Sequence, residues 1–237
     1  MSQITMGDIT ADVVLKDIKN VHLSVYPPTG RVRISAPTWM SLETIRLFAI
    51  SKLDWIRQQQ QRQRAQERET LREYIDRESH YVWGHRYLMK VVEVDAPASV
   101  QLEHGTLLLQ VRPGSDTTAR HAVLSGWYRE ILKAAVPPLI AAWEPRLGVS
   151  AHGFFVQQMK TKWGSCNPTA RTIRLNTELA KKPSECLEYL VLHEMVHLIE
   201  PTHNARFVAL MTQFMPDWRH RKQTLNRLPI GHPAWAY

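Results

Sequence analysis

The sequence predicts an α+β protein, on three observations. Apolar residues alternate with polar ones at Val21, Leu23 and Val25 and again at Val32, Ile34 and Ala36, the period of a half-buried strand. Leu42, Ile45, Phe48, Ala49, Leu53 and Ile56 then recur at helical spacing, which gives a helix one apolar face. Near the C-terminal end, strand-like runs precede a strongly apolar helical stretch over 184–199. The expected layout is an N-terminal β-hairpin and long helix over 1–78, followed by a region over 79–237 in which a helix packs on a small sheet. The two regions are read as separate or as one continuous domain.

Each element has its own reason. Pro27-Pro28-Thr29-Gly30 lies between the two alternating runs and makes them a hairpin. Ser41 is placed to cap the helix, with Glu43 in its first turn, and the helix is expected to run on through 58–72. Its far half is almost wholly polar, so it extends into solvent or meets a partner. Strands are expected over 87–94 and 106–111, separated by Asp95-Ala96-Pro97 and His104-Gly105. Val123, Leu124, Trp127, Ile131, Leu132 and Ala135 set a helix over 119–143, which Pro137-Pro138 kinks or ends. Residues 144–148 form a short continuation. Strands over 154–159 and 172–176 flank a turn at Trp163-Gly164-Ser165. Ser184, followed by Glu185 and Glu188, starts the helix over 184–199, and Pro201 ends it. No internal repeat is visible.

Composition excludes some classes. The chain has 237 residues, 44% hydrophobic and 22% charged, with 10 Gly and 14 Pro, as in an ordinary globular protein. Cys166 and Cys186 are the two cysteines, too few for a disulfide framework and suited to a reducing compartment. Residues 1–14 contain Asp8 and Asp12 and no apolar run of signal-peptide length, and no window approaches the ~18 apolar residues of a membrane span. A cytoplasmic protein that does not enter the membrane is expected. Thirty Lys plus Arg against 22 Asp plus Glu give +8, which suits nucleic acid, nucleotides or other acidic partners, or serves solubility if the charges are scattered.

The chemistry lies in His193-Glu194-Met195-Val196-His197. Residues four apart project from one helix face, so His193 and His197 can place two imidazoles on one Zn²⁺. Glu194, one step round, reaches a water held there without being a ligand. A catalytic zinc site takes three protein ligands and keeps one position open. His203, past Pro201 where the chain can turn back, is the favoured third ligand, and Glu200 is its competitor. Three neutral histidines leave the cation its full charge to acidify water, and Glu194 acts as general base and then as proton donor to a leaving amine.

This motif with His203 and Phe207, the upstream run Lys162-Trp163-Gly164-Ser165-Cys166 and the pair Leu175-Asn176 resembles the YgjP-like metallopeptidase family, which is related to the SprT-type zinc proteases. The likeness extends more loosely to the N-terminal hairpin, to Asp54-Trp55-Ile56 and to Pro216-Asp217-Trp218. It implies a zincin-like catalytic half, zinc on His193, His197 and His203, and Glu194 as base. The chain departs from similar sequences at Lys160-Thr161-Lys162, where an arginine often precedes the Trp-Gly-Ser-Cys run; charge survives there and planar bidentate contact does not.

Further residues are candidates for substrate contact. Trp163 and Gly164 either line the cleft or form a packed structural turn. Lys162, Arg174 and Arg206, with Lys160 and Arg171, would suit a phosphate or carboxylate if they converge on the zinc. Cys166 as a fourth ligand would close the site. His220 either assists an oxyanion or lies on the surface. The leading expectation is a zinc-dependent hydrolase acting on peptides. The alternative uses the same chemistry on a small phosphorylated substrate such as a nucleoside triphosphate. A third reading is a nucleic-acid-associated protein carrying a zinc protease site, although no nucleic-acid-binding motif is present.

Overall fold

The computed structural model describes residues 2–26, 29–65, 72–159 and 162–228, side chains 62–65 excepted. These fall into two compact units, one ending at 65 and the other beginning at 72.

The first unit opens with strands β1 (Ser2–Met6) and β2 (Ile9–Lys16), joined at Gly7, which has φ 66°, a conformation that glycine adopts without strain. Strands β3 (His22–Tyr26) and β4 (Arg31–Pro37) form the expected hairpin; Pro27 and Pro28 lie outside the described residues. Strand β2 runs parallel to β4, so the sheet order is β1-β2-β4-β3. Two helices follow, α1 (Leu42–Ile50) and α2 (Leu53–Ala65). Ile4, Met6, Ile9, Ala11, Val13, Val32, Ile34 and Ala36 bury one sheet face with Ile45, Ala49 and Ile56 of the helices.

The N-terminal region therefore holds a four-stranded sheet where the sequence predicts a hairpin, and two helices where it predicts one. Ser51 causes the break. Its hydroxyl donates to the Phe48 carbonyl at 2.7 Å, competing with the backbone for that acceptor, and the Lys52 N–H bonds to Ala49, three residues back. The part of the expected helix over 66–71 lies outside the described residues.

The second unit begins with β5 (Ser79–Val82), β6 (His85–Glu93), β7 (Ser99–Glu103) and β8 (Thr106–Val111) in the order β5-β6-β8-β7. Antiparallel, parallel and antiparallel pairings repeat the topology of the first sheet. Helix α3 (Thr117–Leu147) crosses this unit, capped by the Asp116 carboxylate on the Ala119 N–H. It continues through Pro137, Pro138 and Pro145, so of the two expected effects of Pro137-Pro138, a kink or an end, the end does not occur. The cost of the missing N–H donors is offset by packing. Leu124, Tyr128, Leu132, Val136, Ile140, Trp143 and Leu147 form one buried stripe on both sides of the prolines.

Strands β9 (Gly153–Gln157), β10 (Gly164–Asn167) and β11 (Thr172–Asn176) make a small sheet in the order β10-β11-β9. The expected turn at Gly164-Ser165 is thus the start of an edge strand paired antiparallel to β11. A 3₁₀ turn (Thr177–Lys181) leads to α4 (Ser184–Val196), and α5 (Ala205–Phe214) and α6 (Trp218–Arg227) complete the unit. Pro183, not Ser184, is the N-cap of α4 and gives no side-chain cap. Instead the β5–β6 turn holds this corner: Trp83 and Gly84 donate N–H groups to Ala180 and Lys181, and a Cβ on Gly84 would lie 2.9 Å from the Pro183 ring. Helix α4 packs on β10, β11 and α3, with Leu187, Leu190, Val191, Leu192, Met195 and Val196 buried. Among the described residues no helix is long and apolar enough to cross a membrane.

Candidate metal centre

The apolar residues of α4 fix which way its polar residues point. With Leu190, Val191, Leu192, Met195 and Val196 in the core, His193 and His197 share the remaining face. The helix ends at Val196, earlier than the 199 expected, with His197 as its C-cap. The N–H groups of Leu198, Ile199 and Glu200 bond back to Met195 and Val196, which tightens the exit. The Glu200 carboxylate accepts from the Thr202 hydroxyl at 2.9 Å and its N–H at 3.3 Å. It closes the turn instead of joining the histidines. Asn204 then caps α5 through the Phe207 N–H at 3.0 Å, bringing the chain back beneath α4.

The result is a cluster of three imidazoles. One ring nitrogen each of His193, His197 and His203 lies within 4.8 Å of the others, the one group of three potential metal ligands among the described residues. The Nε2 atoms of His193 and His203 are 3.0 Å apart, close to the ~3.3 Å between two nitrogens of a tetrahedral zinc shell. Behind the rings, His197 Nδ1–H donates to the Glu200 carbonyl at 3.0 Å, and His193 Nδ1 meets the buried Tyr189 hydroxyl at 3.4 Å. Partners of this kind fix ring orientation and leave Nε2 as the ligand atom. Phe207, 1% exposed, lies with its ring centroid 4.9, 4.7 and 4.7 Å from those of His193, His197 and His203. One aromatic ring thus packs against all three imidazoles.

Electrostatics suit a cation. Burial, then the neighbouring His197 and His203, push His193 down to about 3, so its imidazole is neutral and ready to ligate at physiological pH. Burial likewise lowers His203, with His197 and Lys222 adding to the effect. Glu194, 4% exposed, is pushed up to about 8 by burial, and the charge of Lys162 acts in the opposite sense. A divalent cation at the histidines would act with Lys162 to favour the carboxylate. The donor set is three imidazole nitrogens, which fits zinc well.

The other candidates divide. Lys162 is exposed and its charge reaches Glu194. Trp163 is half-buried, with the Lys182 ammonium 5.9 Å from its ring centroid. Arg174 is not brought to the site. It alternates with buried Ile173 and Leu175 along β11, so its side chain lies on the sheet face away from α4, with its guanidinium 5.7 Å from the Phe155 ring centroid. Arg206 is exposed and acts on Glu200. Cys166 is not in the metal-ligand group, and burial pushes its thiol up to about 11, with the Glu194 charge adding to the effect. Lys160 lies outside the described residues. Sequence reasoning missed Tyr189 and Lys222. Tyr189 is one helical turn before His193, and that spacing could have found it.

Residues 19–228 match the YgjP-like family, metallopeptidase domain. The chain belongs to the YgjP-like metallopeptidase family. Membership implies a divalent metal, and the three imidazoles of this YgjP-like chain fit one. Two solved structures are similar to 40% of this YgjP-like metallopeptidase. The metallopeptidase zymogen of Pyrococcus abyssi abylysin is 19% identical, with 98% of that chain covered and a TM-score of 0.35. The metallopeptidase zymogen of Methanocaldococcus jannaschii jannalysin is 20% identical, with 92% covered and a TM-score of 0.33. No curated protein matches the chain.

Proposed function

We propose that the protein is a zinc-dependent peptidase in which His193, His197 and His203 hold the metal and Glu194 moves the proton. The observation that carries this reading is the convergence of three imidazole nitrogens, with the buried Glu194 next in the chain to His193. Bound Zn²⁺ supplies Lewis acidity to a substrate carbonyl and to water. The histidines, neutral at Nε2, bind, and Tyr189 and the Glu200 carbonyl orient two of them. A Glu194 Oε atom accepts a proton as water oxygen bonds to the carbonyl carbon. It returns that proton to the amide nitrogen as the C–N bond breaks, leaving a carboxylic acid, whose remaining proton passes to the freed amine. Burial raises this carboxyl, while Lys162 and a bound cation would act in the opposite sense and keep it able to accept the proton.

Lys162 and Lys222, whose charges reach Glu194 and His193 respectively, favour anionic groups near the cleft. They support acidic peptides first and a small phosphorylated substrate as the second reading. Free Cys166 and Cys186 support a reducing, cytoplasmic setting.

The test compares wild type with Glu194→Gln, metal content measured in both, on a mixed peptide library and a panel of nucleoside triphosphates. Peptide cleavage lost in the variant with zinc retained is expected. Phosphate or pyrophosphate release lost in the variant, with peptides untouched, would replace the peptidase reading with the phosphoanhydride one.

A further inference from the structure

The Trp163-Gly164-Ser165 run has no ligand or proton to carry, yet it stands against the proposed base. Gly164 begins the edge strand β10, and a Cβ built on it would lie 2.6 Å from Glu194 Oε1 and 3.0 Å from the Arg174 carbonyl oxygen. The first distance is inside van der Waals contact, so any side chain at 164 forces the carboxylate to move or the strand to retreat. The carbonyl on the other flank blocks the methyl from swinging aside.

Retreat of the strand is opposed by Asn176. Its backbone N–H donates to the Trp163 carbonyl at 2.8 Å. Its side-chain Nδ2 donates to the Met159 and Lys162 carbonyls at 2.8 and 2.9 Å, and its Oδ1 accepts from the Glu178 N–H at 3.2 Å. The side chain is buried, and both Nδ2 hydrogens are used. One residue therefore clasps the two positions that precede Gly164, while the β10–β11 register holds those that follow.

We infer that Gly164, held in place by Asn176, is the seat that fixes the Glu194 carboxylate, making both positioning residues of the reaction. The inference rests on Glu194 being the base. Its energetic logic is that a base displaced by about 1 Å loses on the order of 100-fold in rate, while the three imidazoles, none of them among the nearest atoms to a Cβ at 164, keep their metal.

Two measurements on the full chain at matched metal content test it. In thermal unfolding of wild type, Gly164→Ala, Glu194→Ala and the double variant, Gly164→Ala lowers Tm, and at least half of that drop disappears once Glu194 is Ala. An equal drop in both backgrounds overturns the inference. With fluorescein-labelled casein, Gly164→Ala is expected to lose about 100-fold in kcat, with KM and zinc content within twofold. Asn176→Asp, which keeps the acceptor and removes both donors, loses kcat in the same pattern and serves if Gly164→Ala does not fold. Wild-type kcat in these variants overturns the inference. Should Glu194→Gln cleave at the wild-type rate, the reading of Glu194 as base falls, and the unfolding cycle still decides whether Gly164 seats its carboxylate.

Discussion

The Nε2 atoms of His193 and His203 face each other at 3.0 Å, although His193 is on α4 and His203 lies beyond its end, in the link to α5. The turn that makes this possible uses the Glu200 carboxylate as a clasp on Thr202. His203→Ala should therefore weaken zinc binding by about 100-fold or more, while Glu200→Gln, which still accepts from Thr202, should stay within a few-fold of wild type. Competition against a chromophoric chelator reads both. Equal losses would make Glu200 the third ligand.

Phe207 touches all three imidazoles and nothing in it can ligate. Phe207→Leu should keep the fold and lower zinc affinity by about 10-fold, as loss of outer-shell support does. Phe207→Ala adds a cavity and should cost about 3–5 kcal/mol of stability. A Leu132→Ala variant, equally buried in the same core, should lose comparable stability with affinity unchanged. An affinity change of the same size in Leu132→Ala would reduce Phe207 to ordinary packing.

Asp12 gives the first unit a pH dependence. Its buried carboxylate accepts from the Gln3 amide at 2.9 Å and the Arg31 guanidinium at 2.5 Å. These bonds, Gln3 first, hold its pKa below the ordinary 3.8. The unfolded chain thus binds a proton that the folded one does not, so this contribution is complete above the unfolded pKa and is lost as pH falls through the folded one. Asp12→Asn should lower Tm at pH 7, and the gap should narrow below pH 4. A gap that stays constant to pH 2 would contradict the assignment.

Both thiols should be inert. Burial pushes Cys166 and Cys186 up to about 11, so at pH 8 about one in a thousand of either is thiolate. Iodoacetamide at pH 8 should leave the folded protein unmodified and label both cysteines in urea, read by intact mass. Rapid labelling of Cys166 in the folded state would mean a thiolate near Glu194.

The sequence exposes those parts of the molecule whose causes are local. His193 and His197 are legible because helical spacing alone puts them on one face, and Glu194 because it stands one step round from it. The return of His203 is legible from Pro201, although the exit is made by the turn at 197–200. Arg174 misleads because nearness in sequence ignores strand alternation, which sends it to the far face of β11. The long α3 defeats the proline rule because its stripe from Leu124 to Leu147 is paid for by partners far away in the chain. Strands β1 and β2 went unseen because their apolar residues gain a buried face only once β2 pairs with β4 and the helices cover the sheet. The twice-used sheet topology leaves no repeated residues to notice.

The three convergent imidazoles and Phe207 all lie within residues 193–207, whereas Gly164, against Glu194, stands far upstream at the start of the β10–β11 hairpin, which must dock on α4 to reach it. Contacts close in sequence form sooner than distant ones. A chain part-way through folding can then capture its metal before the sheet docks, and in that interval it lacks a fixed proton acceptor. On the proposed reading, the proton acceptor is fixed only once hairpin and helix have met.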